Sequence, residues 1–377
     1  ANLIGGCCGT DGRAIAAIAQ RVRGRPLAER VRTAPAEPAE AVVDAAATAA
    51  AAAQTPSRGF LSRLGREPLI VVELDPPRGL QTEKVIEGAG LLRDAGVHLV
   101  SMAENPLASV RMGNVGMAYL VRREVGIEPL VHFTGRDRNA LGLHSDLLGA
   151  AALGIRHVLA VTGDPAGDRR AGGPTGVTSV YDVNSIGLIG IAAALNRGET
   201  GHGVSTGRPA GFTLGVAFNP NFRSMDGQIA KLRQKVEAGA QFALTQLCYD
   251  EQRIGEIEAA TAPCGIPVLP GVMPFVSHRN ALFTQHEVPG VRVPEEVVAR
   301  MEGHARGEAS WEAGLEIARE LLRAALRGGS PGAYIVAPFN RADLAVELVR
   351  FVRSEWRSLR RSDRTDPGSR SRGATGR

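Results

Sequence analysis

The sequence has few cysteines and few lysines, and it has no long hydrophobic run. None of its apolar runs approaches the roughly 18 residues needed to cross a membrane, and its blandest stretch, "AAATAAAAAQ", is alanine next to proline. Four cysteines at irregular spacing do not form a disulfide framework. No charged-then-apolar secretory segment opens the sequence. These absences argue against a membrane-bound or disulfide-stapled protein and predict a cytoplasmic one.

The positive charge is almost entirely arginine, because lysine occurs only at Lys84, Lys231 and Lys235. The net charge is +5, and much of it falls in the C-terminal stretch "RSLRRSDRTDPGSRSRGATGR". This stretch is nearly free of apolar residues, so we expect a disordered basic tail over 358–377. It has no interleaved aromatic residues and no nucleic-acid motif, so nucleic acid is not an expected partner.

The first 65 residues differ in texture from the rest. Residues 1–24 predict one strand, the turn "GGCCGT" with Cys7 and Cys8, and a helix with Ile15, Ile18 and Val22 on one face. A lone strand and helix cannot bury their apolar faces, so we interpret this segment as the end of a domain whose remainder is missing. Residues 25–65 are rich in Ala and Pro without a sustained period, which predicts a disordered linker.

Eight short apolar runs recur from about residue 66 to residue 357, with helical patterns between them. Most are continuous rather than alternating, as parallel strands covered on both faces are. A doubly wound sheet is the alternative, but the first run lacks the Gly-rich turn that usually follows it there. Eight strands, each followed by a helix, predict a (β/α)₈ TIM barrel. The runs are 68–74, 97–102, 129–133, 156–162, 212–218, 242–246, 266–272 and 333–337.

Polar residues follow most of these runs, and the active site of such a barrel lies at the carboxyl ends of its strands. Glu73 is the hardest to dismiss as a helix cap, because it follows "LIVV" inside an apolar strand where burial would raise the pKa of its carboxyl. No spacing typical of a metal site, a nucleophile elbow or a phosphate loop is present. The pattern favours a barrel that binds an organic cofactor. The other strand-end residues are Ser101, His132, Asp164, Asn219, Gln246, Asn340 and Arg341.

Six motifs in this region, taken as an ordered set, resemble the methylenetetrahydrofolate reductases. They are "VELDPPRG", "VHFTG", "VLAVTGDPAG", "KLRQKVEAGAQFALTQLCYD", "LPGVMPF" and "FNRAD". The resemblance covers about 66–357 and implies an FAD-containing (β/α)₈ barrel. It implies reduction of 5,10-methylenetetrahydrofolate to 5-methyltetrahydrofolate by NADH or NADPH, in a ping-pong scheme through FAD.

The same resemblance implies roles for individual residues. Glu73 matches the general acid that protonates N10 of the folate, Asp164 matches a catalytic carboxylate near flavin N1 and C2=O, and Gln246 matches a glutamine that binds the pterin. The remaining matches are cofactor contacts at His132, Gly163, Tyr181 and Lys235, and a substrate contact at Arg341. The chain departs from the family at Ala103-Glu104-Asn105, Thr162, Gln234 and Ala337, which puts the flavin contacts at those positions in question.

The N-terminal stretch "NLIGGCCGT" resembles a different family, the zinc-dependent homocysteine S-methyltransferases. That likeness implies that residues 1–24 are the C-terminal remnant of such a methyltransferase barrel. The two likenesses together imply the C-terminal part of a bifunctional homocysteine S-methyltransferase/methylenetetrahydrofolate reductase. Cys7 and Cys8 would then be two of three zinc thiolates, an incomplete site expected to be empty without the intact upstream domain. Cys248 and Cys264 are expected to be buried thiols. Two other functions stay open: a catalytically silent flavin-binding barrel that regulates such a methyltransferase, and a zinc methyltransferase. The sequence does not indicate whether NADH or NADPH is the reductant. It also leaves open whether the protein forms a homo-oligomer.

Overall fold

The computed structural model describes residues 11–23, 59–165, 178–304 and 307–365, with side chains to residue 361. The chain divides into two units, Ala1–Ser57 and Arg58–Arg377. In the first unit, helix α1 (Gly12–Val22) begins after Asp11, whose carboxylate accepts hydrogen bonds from Arg13 N and Ala14 N at 3.1 and 3.0 Å. This is the helix that the sequence predicts there. Cys7, Cys8, the predicted strand and most of the predicted linker lie outside the described residues.

The second unit is a closed barrel of eight parallel strands in chain order. Each strand pairs with its sequence neighbours, and the last strand pairs with the first. This order confirms the predicted (β/α)₈ barrel and excludes the doubly wound sheet. The strands are β1 (Leu69–Glu73), β2 (Leu99–Met102), β3 (Glu128–Thr134), β4 (His157–Val161), β5 (Thr213–Phe218), β6 (Phe242–Leu247), β7 (Val268–Val272) and β8 (Gly332–Val336).

Helices follow each strand. At the C-terminal ends of three of them, the predicted glycines Gly96, Gly154 and Gly239 have positive φ values of 82°, 81° and 120°. No helix of the described segments is long and apolar enough to span a lipid bilayer. The helices are α2 (Glu83–Asp94), α3 (Asn114–Val125), α4 (Ala140–Ala152), α5 (Ser185–Asn196), α6 (Met225–Glu237), α7 (Glu251–Thr261), α8 (His278–Glu287), α9 (Glu295–Arg300), α10 (Glu308–Arg327) and α11 (Ala342–Thr365).

Alternate residues of most strands bury against two different cores. In β1, Ile70 and Val72 pack outward against the helices. Leu69 and Val71 point to the inner cluster, together with Leu99, Leu130 and Leu159 and residues of β6, β7 and β8. Because both faces of every strand are covered, the strands read as continuous apolar runs in the sequence.

The barrel extends beyond both predicted boundaries. A short 3₁₀ turn, Phe60–Arg63, precedes β1, and the Phe60 ring packs in the inner cluster 5.4 Å from the ring of Phe242. Residues 59–65 therefore pack with the barrel, although the sequence assigned them to the linker. At the other end, α11 continues past residue 357 to Thr365, because Trp356 and Leu359 still pack against the outer core.

Two histidines near Phe60 are buried as neutral side chains, and we expect them to weaken the fold in acid. Burial lowers the pKa of His98 and of His157 from 6.5 to about 4. Between these values the unfolded chain binds more protons than the folded chain, so stability falls as the pH drops from 6.5 towards 4. Urea unfolding across this range should show that fall, and His157→Gln should make it shallower. The exposed His286→Gln is the control; an equally steep fall in both variants would contradict the prediction.

Candidate active site

Four polar side chains interrupt the apolar interior near the carboxyl ends of the strands. Glu73 ends β1 and lies in register with Ser101 of β2. His132 lies on β3 and Tyr334 on β8, and Ser101, His132 and Tyr334 are all buried. We refer to Glu73, Ser101, His132 and Tyr334 as the acid cluster. The inward positions of neighbouring strands bring them together.

The carboxyl of Glu73 is the centre of the acid cluster. The phenol of Tyr334 donates a hydrogen bond to its Oε2, and His132 Nε2 lies 3.6 Å from the same oxygen. The side chain of Glu73 is 14% exposed, so it is shielded but reachable from the barrel mouth. Burial, helped by the nearby charge of Asp75, raises the pKa of Glu73 from 4.5 to about 8. Glu73 is therefore an acid that holds its proton at neutral pH.

His132 is a neutral neighbour of this acid. Burial lowers the pKa of His132 from 6.5 to about 3. Its Nε2 shares a hydrogen bond of 2.6 Å with the hydroxyl of Ser101. A neutral imidazole brings no positive charge that would ionise Glu73. The predicted contact of His132 with a cofactor stays a prediction; the structure places the ring beside Glu73.

Asp75 and Arg111 form an ion pair next to Glu73 that is not predicted from the sequence. Arg111 Nη2 lies 3.0 Å from Asp75 Oδ2, and its Nη1 donates to the carbonyl of Pro76 at 3.0 Å. The backbone of Asp75 is also held by Asn340, whose side chain both accepts from Asp75 N and donates to Asp75 O at 2.8 Å. Burial raises the pKa of Asp75, and Arg111 opposes that rise. The spacing "ELDPP", a second carboxylate just past the strand end, was the available signal.

Asp164, Gly163 and Tyr181 lie together after β4. Tyr181 Oη donates to the carbonyl of Gly163 at 3.0 Å, and Leu107 N donates to Asp164 Oδ2 at 3.3 Å. Gly163 has a φ of 84°, and a Cβ there would lie 3.1 Å from Thr134 Cβ, so a side chain would be strained and crowded. The structure therefore brings three of the predicted cofactor residues to one strand end.

The loop after β2, residues 103–113, joins the two halves of the mouth. Its Arg111 pairs with Asp75 beside Glu73, and its Leu107 N–H binds Asp164. Asn105, near the start of the loop, donates to Asp137 Oδ2 at 3.2 Å. The loop thus ties the ends of β1, β3 and β4 to one another.

Glu104 occupies one of the positions where the chain departs from the family pattern. It pairs with Arg138, and its Oε2 accepts from Thr134 N at 2.7 Å. Arg136, nearly fully buried, pairs with Asp137 and also donates to the carbonyl of Asp164 at 3.3 Å. Burial raises the pKa of Glu104, opposed by Arg138. The ends of β2, β3 and β4 are thus joined by a charged network.

Gln246 lies on β6 where the strand pairing shifts register. The shift falls between Leu244 and Leu247, and the hydroxyl of Thr245 takes a place in the ladder by accepting from Gly271 N at 2.7 Å. The side chain of Gln246 donates to the carbonyl of Pro289 at 3.1 Å and accepts from Leu247 N at 2.9 Å. Both ends of this amide are held by the backbone.

Two of the predicted basic contacts are engaged elsewhere in the structure. The ammonium of Lys235, on α6, donates to the carbonyl of Ala217 in β5 at 2.6 Å, and burial lowers its pKa to about 8. The guanidinium of Arg341 stacks on Trp311, 3.9 Å from the ring centroid, and Nη2 lies 2.6 Å from Asp343 Oδ2. Arg341 stays near the mouth because it follows β8, whereas Lys235 links α6 to β5 in the barrel wall.

Among the described residues, the non-glycine residues with a left-handed backbone lie at the mouth. Six described residues other than glycine have a positive φ, and all six fall in the loops that follow β2, β4 and β8. Such positions cost of order 1–3 kcal/mol each and cluster at functional sites. The strain therefore points to the same end of the barrel as the acid cluster. The residues are Asn105, Leu107, Ala108, Tyr181, Phe339 and Asn340.

The sequence pattern that defines the methylenetetrahydrofolate reductase family matches residues 62–353. The chain belongs to this family. Among the described residues, no group of three or more His, Cys, Asp or Glu side chains is placed to hold a metal ion. The zinc site predicted at Cys7 and Cys8 lies outside the described residues and stays a prediction.

Curated relatives agree with the family. A probable methylenetetrahydrofolate reductase (NADPH) of Caenorhabditis elegans is 26% identical over 233 residues, 58% of this chain and 33% of the relative. The 5,10-methylenetetrahydrofolate reductase of Salmonella typhimurium is 25% identical over 190 residues, 48% of this chain and 56% of the relative. A probable methylenetetrahydrofolate reductase (NADH) of Oryza sativa is 26% identical over 200 residues, 49% of this chain and 31% of the relative. The matches span between 31% and 56% of the length of these relatives.

A solved structure shares the fold. It is an uncharacterized protein from Clostridium thermocellum that binds two copies of 5-methyl-5,6,7,8-tetrahydrofolic acid. The TM-score is 0.52 at 12% identity, over 79% of this chain and 97% of that chain. At this identity the likeness shows the barrel fold and no more.

Proposed function

We propose that this chain reduces 5,10-methylenetetrahydrofolate to 5-methyltetrahydrofolate with NADH or NADPH as reductant, and that Glu73 is the general acid. The observation that carries the proposal is the carboxyl of Glu73, buried at the end of β1 with its pKa raised to about 8. Membership of the reductase family and the names of the curated relatives support the same reaction.

The proposed cofactor is FAD, and the side chains after β4 fit its isoalloxazine end. Asp164 offers a carboxylate, Tyr181 a phenol and Gly163 a backbone that no side chain covers. Lys235, which the family resemblance assigns to the cofactor, is bound to Ala217 instead. When bound, FAD would supply a two-electron carrier between the nicotinamide and the folate. Asp164, Gly163 and Tyr181 are the residues proposed to hold it.

The proposed work of the chain's own residues is proton transfer and positioning. Glu73 gives its proton to N10 of the folate, the bond between N10 and the bridging methylene breaks, and the resulting iminium accepts hydride. Gln246 and Arg341, at the same mouth, are proposed to contact the folate. The neutral His132 leaves the proton on Glu73 until the substrate takes it.

The test is reduction of methylenetetrahydrofolate by purified protein, assayed separately with NADH and with NADPH and with the flavin content measured. Protein that carries a flavin which the nicotinamide bleaches and the folate restores would support the whole proposal. Flavin that never bleaches would indicate a silent regulatory barrel instead. Folate turnover by flavin-free protein would keep the reaction and remove FAD from it.

The folate step should slow in alkaline solution. Glu73 must be protonated to act as the acid, and its pKa is about 8. The rate constant for folate reduction should therefore be highest below pH 8 and fall above it. Single-turnover measurements of folate reduction across this range check the prediction. A rate constant that stays flat through pH 8 would contradict it.

A further inference from the structure

Tyr334 is a phenol buried inside an otherwise apolar part of the barrel. It lies in register with Val71 on one side and with Gly271 on the other. A Cβ at position 271 would come within 3.1 Å of the Tyr334 ring and 2.7 Å of the carbonyl oxygen of Thr245. The missing side chain of Gly271 therefore makes the room that the ring of Tyr334 fills. A buried phenol needs a hydrogen-bond partner, and this one finds it in Glu73.

The hydrogen bonds at Glu73 are unevenly divided between its two oxygens. Oε2 accepts from the phenol of Tyr334 and is the oxygen nearest to His132 Nε2. Among the residues that the structure describes, none makes a hydrogen bond to Oε1. The ionisable groups around the carboxyl are the pair of Asp75 and Arg111 beyond the strand end, and the neutral side chains of His132 and Tyr334.

We propose that Tyr334 is a positioning residue for the acid: its phenol holds Oε2, leaves the proton on Oε1 for the folate, and stabilises the carboxylate once that proton has left. This inference rests on the proposed function of Glu73 as the acid.

The proton balance of the step shows why the phenol matters. The O–H bond at Oε1 breaks, an N–H bond forms at N10 of the folate, and the carboxyl is left with the negative charge. A hydrogen bond to a charged acceptor is shorter and about twice as strong as one to a neutral acceptor. The bond from Tyr334 therefore strengthens during the transfer, and it stabilises the transition state more than the ground state.

Tyr334→Phe removes the phenol and keeps the ring in its space beside Gly271. We expect the plateau rate constant for folate reduction to fall about tenfold. We also expect the fall of this rate constant at alkaline pH, the alkaline limb of its pH profile, to move up by about one pH unit. The reason is that the carboxylate of Glu73 loses a stabilising hydrogen-bond donor. A merely structural role would lower the plateau without moving the limb.

Tyr249→Phe is the matched control. Tyr249 is also fully buried, stacks on Phe275 at 4.6 Å and donates its phenol to the carbonyl of Met273 at 2.9 Å. The loss of a buried tyrosine hydroxyl is therefore the same, but the lost bond is not to Glu73. Its limb should stay at the wild-type position.

Infrared titration of Glu73 separates this inference from the proposed function. The protonated carboxyl of Glu73 has a C=O stretch that is identified by its absence in Glu73→Gln. Its titration midpoint should rise in Tyr334→Phe and stay unchanged in Tyr249→Phe, whether or not the protein turns over folate. An unchanged midpoint in Tyr334→Phe overturns the positioning role even in an active reductase. A raised midpoint in a protein without reductase activity would show that Tyr334 stabilises the Glu73 carboxylate and would refute the proposed function.

Fluorotyrosine keeps the test available if Tyr334→Phe does not fold. Fluorination makes the phenol a stronger donor without removing it, so the midpoint of Glu73 should move down. The labelling is carried out in the Tyr249→Phe background so that the control phenol is absent. A midpoint that does not move would overturn the proposal.

Discussion

Glu73→Gln is expected to abolish folate reduction and to stabilise the protein at the same time. The amide has no acidic proton, and loss of a general acid typically costs about 10²–10⁴-fold in rate. The amide can still accept the hydrogen bond from Tyr334. Because the pKa of Glu73 rises from 4.5 to about 8 on folding, the wild-type chain must hold a proton at neutral pH that the unfolded chain releases. Removing that requirement should add ~1–3 kcal/mol to the free energy of unfolding at neutral pH.

Single-turnover folate reduction and urea unfolding at neutral pH measure the two effects. Glu104→Gln is the contrasting variant, because Glu104 is also a buried carboxyl but is paired with Arg138 and with Thr134 N. Breaking that pair should lower stability rather than raise it. If Glu73→Gln reduced folate at the wild-type rate, Glu73 would not be the general acid. A loss of stability in that variant would mean that the carboxyl is not held protonated in the fold.

The barrel could be predicted from the sequence because both faces of every strand are buried. The continuous runs around Leu69–Glu73 and Gly332–Val336, separated by helices, predict buried parallel strands, and the missing Gly-rich turn favours the barrel over a doubly wound sheet. The ends of the barrel could not be predicted in the same way. Phe60 lies in a stretch whose composition is that of a linker, and its burial depends on rings from β4 and β6 that are far away in sequence. Composition reports local propensity and does not report such contacts.

The candidate site could be predicted from the sequence only in part. Glu73, Ser101 and His132 were found because the carboxyl ends of parallel strands meet at one mouth. Tyr334 was not predicted because it lies within a strand whose sequence, "GAYIV", is typical of apolar core packing. Arg111 was missed because it reaches Asp75 from a loop with left-handed residues, a path that residue spacing does not encode.

The loop after β2 gives this mouth its connection between acid and proposed cofactor residues. Arg111 is paired with Asp75, just past the end of the strand that carries Glu73, and Leu107 N–H binds Asp164. Leu107 has a φ of 52°, a conformation that costs a non-glycine residue about 1–3 kcal/mol. The ion pair and hydrogen bonds of the loop offset that cost, so the two strand ends are fixed relative to each other.

At the opposite end of the barrel, the ring of Phe60 is packed between aromatic side chains. It lies 5.4 Å from the ring of Phe242, and 6.4 and 6.3 Å from the rings of His98 and His157, with 4% of its surface exposed. It also packs with the inner leucines of the strands. Phe60 therefore covers the amino-terminal end of the inner core.

Phe60→Ala is accordingly expected to lower the free energy of unfolding by about 3–5 kcal/mol, the cost of removing a large buried aromatic side chain. The loss should also let water reach His98 and His157, so both histidines would be protonated more easily and the fall in stability in acid would become shallower. Urea unfolding at neutral and at acid pH measures both effects. Phe283→Ala, at a phenylalanine that is 45% exposed on α8, is the control and should change stability by only about 1 kcal/mol or less. If the two variants were equally stable, residues 59–65 would belong to the linker, as composition alone suggested, and Phe60 would contribute nothing to the barrel.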